Sequence, residues 1–179
     1  MPKRMIVYAS RGGATKECAE RLAALLGDCE LYDAELGTPY VVDVDTVIIG
    51  SYIHMGTVNS GVKRFIVQNG KELLDEKINV GLFICSAVLE QADDVIEANF
   101  PQFLLEKACA ISSFGGRLGS ENLSGMDRLI AKKFEKLYRK NGGQPPVILD
   151  RVIERFADEI LRAETGESSS IDTIPESAE

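Results

Sequence analysis

The chain has 179 residues, 45% of them hydrophobic, and a net charge of −8. This length favours one domain with an ordinary core, and the composition excludes a disordered chain, a collagen-like fibre and a disulfide scaffold. Because 28 acidic residues outnumber 20 basic ones, we expect no binding to nucleic acid. No apolar run approaches the roughly 18 residues that span a bilayer, and the first run is too short for a signal peptide, so we expect a cytoplasmic protein.

Short apolar runs that alternate with helical periodicity predict five strands and five helices. In chain order we expect a strand over Met5–Ala9, a helix that ends before Gly27, a strand over Glu30–Asp33, a strand over Asp45–Gly50, a helix from Asn59 or Ser60 to Leu73, a strand over Ile78–Cys85, a helix over 91–106 interrupted at Pro101, a strand over Ala108–Gly115, and helices over Ser124–Lys140 and Val147–Ala163.

This alternation predicts an α/β fold, a doubly wound parallel sheet of five strands with helices on both faces. The strand runs are continuously apolar, as in strands buried on both sides, and five strands fit the flavodoxin-like order 2-1-3-4-5. Ligands of such sheets bind beyond the carboxyl ends of the strands, where the order reverses. We therefore expect the site in the loops after strands one, three and four. The domain is expected to cover residues 1–163, and residues 164–179 read as an acidic, flexible tail.

The loop after the first strand, Ser10-Arg-Gly-Gly-Ala-Thr15, has the features of an anion site. Its glycines let backbone N–H groups approach an anion, the next helix adds its positive dipole end, and Ser10 and Thr15 add hydroxyls. The loop lacks the lysine of a triphosphate loop and is not GxGxxG, which favours a monophosphate over a dinucleotide. The alternative is an ordinary serine-rich turn with a capping threonine and no ligand.

This loop resembles the phosphate loop of the flavodoxin superfamily, and Tyr8–Thr15 is closest to the menaquinone-dependent protoporphyrinogen oxidases. Val47-Ile-Ile-Gly-Ser-Tyr-Ile-His-Met-Gly56, followed by Ser60, Val62 and Phe65, is similar to the strand, loop and helix that come next in that family. A weaker resemblance covers Phe114-Gly-Gly-Arg-Leu118 and Met126–Lys133.

The resemblance implies a non-covalent FMN. Its phosphate would contact Ser10, Arg11, Gly12, Gly13, Ala14 and Thr15. Its isoalloxazine ring would lie against two loops, which contain Ser51, Tyr52, Ile53, His54, Met55 and Gly56, and Ser86, Ala87, Val88 and Leu89. No catalytic residue is assigned.

The activity implied by the resemblance is oxidation of protoporphyrinogen IX in haem biosynthesis, with electrons passing to a quinone. This would make the protein an FMN-dependent, quinone-linked dehydrogenase. Two alternatives stay open, a flavodoxin-type electron carrier that serves a redox-protein partner and an NAD(P)H:quinone reductase.

Several residue types depart from a typical flavodoxin or leave two interpretations open. The chain has no Trp to stack on a flavin, so Tyr52 is the predicted stacking residue; the alternative is a surface tyrosine at a strand end. His54, the only histidine, would place a cation beside reduced flavin or is a simple loop residue, and it excludes a multi-histidine metal site. The cysteines form no CxxC pair and are expected to be buried free thiols at Cys18, Cys29, Cys85 and Cys109.

The segment from Arg117 to Lys140 is basic within an acidic chain, with seven basic and three acidic residues against thirteen and twenty-five elsewhere. Its predicted helix, Ser124–Lys140, is amphipathic. Such a helix fits peripheral contact with the inner face of the cell membrane or with a propionate-bearing substrate. The alternative is a solvated surface helix that packs on the sheet.

Overall fold

The computed structural model describes residues 1–117 and 146–166, with isolated positions between 125 and 140. The predicted helix Ser124–Lys140 therefore falls mostly outside the described residues, as does the chain after Gly166. The elements are β1 (Arg4–Ala9), α1 (Ala14–Leu26), β2 (Cys29–Asp33), β3 (Thr46–His54), β4 (Thr57–Val58), α2 (Ser60–Gln68), α3 (Gly70–Leu73), β5 (Asn79–Cys85), a 3-10 turn (Leu89–Gln91), α4 (Ala92–Asn99), α5 (Gln102–Lys107), β6 (Ala110–Ser113) and α6 (Asp150–Thr165).

Five parallel strands form the sheet in the order β2-β1-β3-β5-β6. This confirms the predicted flavodoxin-like order, since the five predicted strands occupy these five places. A sixth strand, the two-residue β4, was not predicted; it pairs antiparallel with the end of β3.

Two apolar cores cover the two faces of the sheet because successive strand residues point to opposite sides. On one face, Ile48 packs with side chains from α1 and α6. On the other face, Val47 and Ile49 pack with side chains from α2, α3, α4 and α5. The helices thus lie on both faces, as the alternating sequence predicts.

Three phenylalanines join α6 to the sheet. Phe83 stacks on Phe114 with ring centroids 4.5 Å apart, and Phe156 of α6 meets Phe114 edge-on at 5.1 Å. Such geometries contribute on the order of 1 kcal/mol each beyond the area that they bury. The C-terminal helix is therefore part of the same core as the strands.

A buried ion pair fixes the last turn of α6 to β1. Arg4 donates from Nε and Nη2 to the Glu164 carboxylate at 2.8 and 2.7 Å, and Thr46 Oγ1 donates to the same carboxylate at 2.7 Å. Both charged side chains are less than 10% exposed. Glu164, which the sequence assigned to the tail, is thus packed against the sheet.

One predicted helix and two cysteines differ from the sequence expectation. The helix predicted to continue to Leu73 breaks into α2 and α3 at Asn69, whose side chain bonds to Val41 N and Pro39 O in a distant loop. The interruption at Pro101 is confirmed by the α4–α5 boundary. Cys18 and Cys85 are buried, whereas the prediction is wrong for Cys29 and Cys109, which are partly exposed.

The backbone just after β6 pairs with the backbone just before α6. Leu149 N donates to Phe114 O at 2.9 Å, Gly116 N donates to Val147 O at 3.3 Å, and Gly115 pairs antiparallel with Ile148. We call this closure the 115–148 bridge. The chain between its two sides begins and ends beside the carboxyl edge of the sheet.

Candidate functional site

Three loops meet at the carboxyl edge of the sheet because β1, β3 and β5 are neighbours. Ala9 pairs with Ser51, and Ser51 pairs with Ile84. β1 and β5 consequently end within one residue of the same level, and β3 runs on between them to His54. The loops after them, predicted to contain the site, lie side by side.

The first loop leads into a helix whose N-terminus has no side-chain cap. Gly13 occupies the N-cap position with φ of 88°, a conformation that suits glycine. The Ser10 hydroxyl is buried and has no hydrogen-bond partner within the part of the chain that the structure describes. An uncapped helix N-terminus beside an unpaired hydroxyl is suited to an anion.

Thr15 has a different place from the one expected. It lies inside α1 and is only 1% exposed, so it does not cap the helix as the ligand-free alternative required. The Thr15 side chain acts to lower the pKa of the Cys85 thiol, which donates to Cys18 Sγ at 3.6 Å. The bond to Cys18, together with burial, holds the pKa of Cys85 well above its usual value. Thr15 thus lies buried in the first turn of α1.

The second loop is shorter than predicted because β3 continues to His54. Ser51, Tyr52 and Ile53 belong to the strand, and only Met55 and Gly56 form the turn between β3 and β4. Both turn residues have positive φ, 52° and 73°. This correction leaves Met55, which is 90% exposed, at the tip of a tight hairpin.

Side chains at the base of this hairpin are tied to each other. Buried Ser51 Oγ accepts from Asn59 N at 2.9 Å and donates to Tyr52 O at 2.8 Å. Asn59 Nδ2 donates to the Tyr52 hydroxyl at 2.9 Å and to Glu35 Oε1 at 3.0 Å. The Tyr52 hydroxyl is therefore held near Glu35, in the loop after β2. The Ser51 hydroxyl is bonded to the backbone of Tyr52 and Asn59.

The third loop turns tightly after β5. Ser86 Oγ accepts from Val88 N and donates to Val88 O, both at 3.2 Å. Gly116 lies so close that an added Cβ would stand 3.0 Å from the Ser86 carbonyl carbon. The backbone beyond β6 therefore packs directly on this loop. Val88 and Leu89 are left 40% and 45% exposed.

A chain of alternating charges crosses the first turns of α1. Arg117 and Arg21 both pair with Glu17, and Arg21 also pairs with Asp150 at the start of α6. These side chains are between 33% and 65% exposed, so each pair contributes little by itself. They nevertheless bring both sides of the 115–148 bridge beside the first loop.

Within the described residues, no group of three or more His, Cys, Asp or Glu side chains could hold a metal ion. The same residues contain no helix long and apolar enough to cross a bilayer. The three loops supply backbone N–H groups, hydroxyls and apolar side chains, which are suited to an organic phosphate.

A family model described as flavodoxin domain matches residues 5–143. The chain belongs to the flavodoxin domain family. The match includes all three loops, although it ends before α6. No curated protein matches the chain significantly.

Solved flavodoxin-fold structures are similar in fold at low sequence identity. The flavodiiron protein from Giardia intestinalis is 13% identical with a TM-score of 0.51, and the match covers 93% of this chain and 38% of that one. A flavoprotein from Lactobacillus acidophilus in complex with FMN is 17% identical with a TM-score of 0.41, over 63% and 93% of the two chains. Oxidised flavodoxin 1 from Bacillus cereus is 18% identical with a TM-score of 0.43, over 77% and 97%.

Sequence reasoning placed the three loops but missed the residues that shape them. Asn59 was seen only as a possible helix cap, yet it also bonds Glu35 and Tyr52. Gly116 and the Cys18–Cys85 contact had no local signal, because each depends on chain segments far apart in sequence.

Proposed function

We propose that this flavodoxin-domain protein binds FMN non-covalently and carries electrons through it. One observation carries the proposal: the Ser10 hydroxyl is buried without a described partner, directly before an uncapped helix. Leaving such a group unsatisfied costs about 1–3 kcal/mol. A phosphate oxygen would supply the missing partner, and backbone N–H groups at the start of α1 would bind the remaining oxygens.

FMN supplies the redox chemistry when bound, since its ring accepts and returns electrons. The chain's own residues hold and orient it. Ser10 and the first turn of α1 would hold the phosphate. The Met55-Gly56 turn and the Ser86–Val88 turn would hold the ring, and the exposed side chains of Val88 and Leu89 would shield it from water. Tyr52 and His54 remain our proposed ring contacts from β3.

The phosphate assignment is tested by titrating FMN and riboflavin into the apoprotein calorimetrically. Ser10→Ala should weaken FMN binding by about 1–3 kcal/mol, because one charge-assisted hydrogen bond is lost. Riboflavin, which has no phosphate, should bind both proteins equally. Ser113→Ala is the matched control, since Ser113 Oγ is also buried without a described partner but lies at the end of β6. Equal affinity of the wild type for FMN and riboflavin would refute the assignment.

We propose further that protoporphyrinogen is the electron donor and a quinone the acceptor, as in haem biosynthesis. The support is the resemblance of Tyr8–Thr15 and Val47–Gly56 to the menaquinone-dependent oxidases. Exposed apolar side chains at the site suit an apolar macrocycle or quinone, namely Met55, Val88 and Leu89. Single-turnover kinetics test this: protoporphyrinogen should bleach the flavin absorbance, and a menaquinone analogue should restore it.

An electron carrier without its own substrate is the second candidate. Its support is the acidic surface that follows the third loop, where Glu90, Asp93 and Asp94 are exposed. Such a surface would attract a basic redox protein. Reduction by a ferredoxin-type partner, with no reaction toward protoporphyrinogen, would favour this candidate; reduction by NAD(P)H would favour a quinone reductase.

The basic segment, Arg117 to Lys140, would bring the protein to the membrane in which the quinone is dissolved. Its described lysines are all exposed, namely Lys132, Lys133, Lys136 and Lys140, and Met126 and Leu129 are 72% and 65% exposed. Each basic residue near an anionic leaflet contributes roughly 1 kcal/mol. We therefore propose peripheral, salt-sensitive contact with the inner face of the cell membrane.

We place the end of the flavodoxin domain at Gly166. Two observations support this end, three residues past the predicted boundary at 163: Gly166 ends α6 with φ of 73°, and Glu164 is in the buried ion pair with Arg4. The acidic tail, expected from the sequence to begin at residue 164, would then begin after Gly166.

A further inference from the structure

Asn99 reaches from the end of α4 to the β3–β4 hairpin. Its Nδ2 donates to Gly56 O at 2.8 Å and to Val95 O at 2.9 Å. Its Oδ1 accepts from Val58 N at 3.1 Å. An asparagine amide has two N–H donors, and Asn99 uses both, together with its acceptor. The Asn99 side chain therefore bonds to the backbone on both sides of Thr57, at Gly56 O and at Val58 N.

The hairpin has little packing of its own. His54, Met55, Gly56 and Thr57 are all exposed, and Val58 is the first buried residue after the turn. β4 is only two residues long and pairs only with β3 among the described strands. An isolated hairpin of this size is marginally stable in water. The bonds from Asn99 are thus a large part of what fixes the turn relative to α4.

The position of Asn99 also connects two of the three loops. The third loop continues through the 3-10 turn Leu89–Gln91 directly into α4, and Asn99 is the last residue of that helix. The chain that begins at Ser86 thus ends with a side chain bonded to Gly56. The helix α4 therefore joins the second and third loops, by the chain at its start and by the Asn99 side chain at its end.

We propose that Asn99 is a positioning residue that sets the separation of the two loops between which the flavin ring lies. This inference rests on the proposed function, because it assigns the ring to those loops. Asn99 does not contact the ring; it acts through the Met55-Gly56 turn. Its loss should change how the ring is held and leave the phosphate grip of the first loop intact.

The experiment compares Asn99→Asp and Asn99→Leu with the wild type. Asp keeps the acceptor for Val58 N but loses both donors and turns a carboxylate oxygen toward the Gly56 carbonyl. Leu removes all three bonds. The matched control is Gln68→Glu, an amide-to-carboxylate change on α2 that also removes donation to two carbonyls, Thr38 O and Pro39 O, both at 3.2 Å. Because Asp retains one bond, it remains informative if the Leu variant does not fold.

Three quantities are measured: FMN affinity, the midpoint potential of the bound flavin, and hydrogen exchange of the Val58 amide in FMN-free protein. Both Asn99 variants should bind FMN about tenfold more weakly, the effect of one or two lost hydrogen bonds, and should shift the midpoint potential. The Val58 amide should exchange faster only in Asn99→Leu. Gln68→Glu should match the wild type in all three.

Three results would overturn the inference in distinguishable ways. Wild-type FMN affinity and potential in both Asn99 variants would refute the positioning role and leave the proposed function standing. A wild-type protein that binds no FMN would refute the proposed function and the inference with it. A weakened affinity that appears equally in Gln68→Glu would assign the effect to general stability, against the inference.

Discussion

Ser10 and Thr15 carry similar hydroxyls at the two ends of one loop, but their surroundings differ. The Ser10 hydroxyl is buried without a described partner, whereas Thr15 lies inside α1 and is 1% exposed. The sequence predicts the same phosphate contact for both. The difference arises because α1 begins at Ala14, between the two residues. The buried, unpaired hydroxyl makes Ser10 our first choice for the proposed hydroxyl contact.

Titration of the Cys29 thiol predicts that the free energy of unfolding falls in alkali. Burial raises the pKa of the Cys29 thiol from 9.0 to about 11, even though the Arg4 cation acts in the opposite direction. Because the folded-state pKa is the higher one, the neutral thiol stabilises the fold fully below pH 9. This contribution is lost as the pH rises from about 9 towards 11.

The measurement is the free energy of unfolding in urea at several pH values between about 8 and 11, the range in which a thiol with a raised pKa titrates. Cys29→Ala should lose less stability in alkali than the wild type, because the thiol that titrates is gone. Some loss should remain in the variant, since tyrosines and lysines still titrate in both proteins. Identical pH dependence in the two proteins would mean that Cys29 does not titrate differently on folding.

At the scale of elements, β3 continues past a glycine that looks like a strand end. The sequence predicts that this strand ends at Gly50, yet it runs four residues further, to His54. The glycine is present because Phe83 of the neighbouring strand lies over it: a Cβ at Gly50 would stand 2.0 Å from the Phe83 ring. Phe83 in turn stacks on Phe114. Gly50 therefore makes room for the aromatic contact between the sheet and α6.

Gly50→Ala should destabilise the fold by about 1–3 kcal/mol, the usual cost of an overpacked core position. Gly37→Ala is the control, because nothing lies within 4 Å of a Cβ built there. Urea unfolding curves measure both variants, and the control should match the wild type within experimental error. A Gly50→Ala variant as stable as the wild type would show that the Phe83 ring moves aside without cost.

The elements that the sequence predicts well are those with a long local signal. Apolar runs identify all five parallel strands and their order, and Pro101 marks a helix boundary. The missed features depend on distant partners: Asn69 ends α2 by bonding to the loop at Pro39, and β4 has only two residues. The same holds at the candidate site, where the loops were located and the bonds of Asn99 were not.

For the whole molecule, α6 is what closes the fold. Its buried residues complete the core on the α1 face, and its last turn is fixed by the ion pair of Glu164 with Arg4. Breaking a buried pair by removing one partner typically costs about 3–5 kcal/mol. The family match ends at residue 143, before this helix begins. The folded unit therefore needs more of the chain than the matched residues.

The 115–148 bridge predicts that the basic segment is dispensable for folding. Residues 118–145 replaced by a short Gly-Ser linker should leave cooperative thermal unfolding and FMN affinity intact, because the hydrogen bonds of Gly116 and Leu149 close the two sides of the bridge without it. The same protein should lose salt-sensitive binding to anionic vesicles and turn over a lipid-soluble quinone more slowly. Retained vesicle binding would place the membrane contact elsewhere, and loss of cooperative unfolding would make the segment structural.

The 115–148 bridge also bears on how such proteins diversify. A chain that leaves and re-enters a fold at one hydrogen-bonded point can lengthen there at a closure cost of only roughly 0.6 kcal/mol for each doubling of its length. Descendants of one ancestral gene can therefore acquire, trim or exchange this stretch while the loops at the sheet edge stay as they are. The cofactor site and the surface beside it can thus evolve independently. We expect natural variation in length to concentrate between Gly116 and Val147.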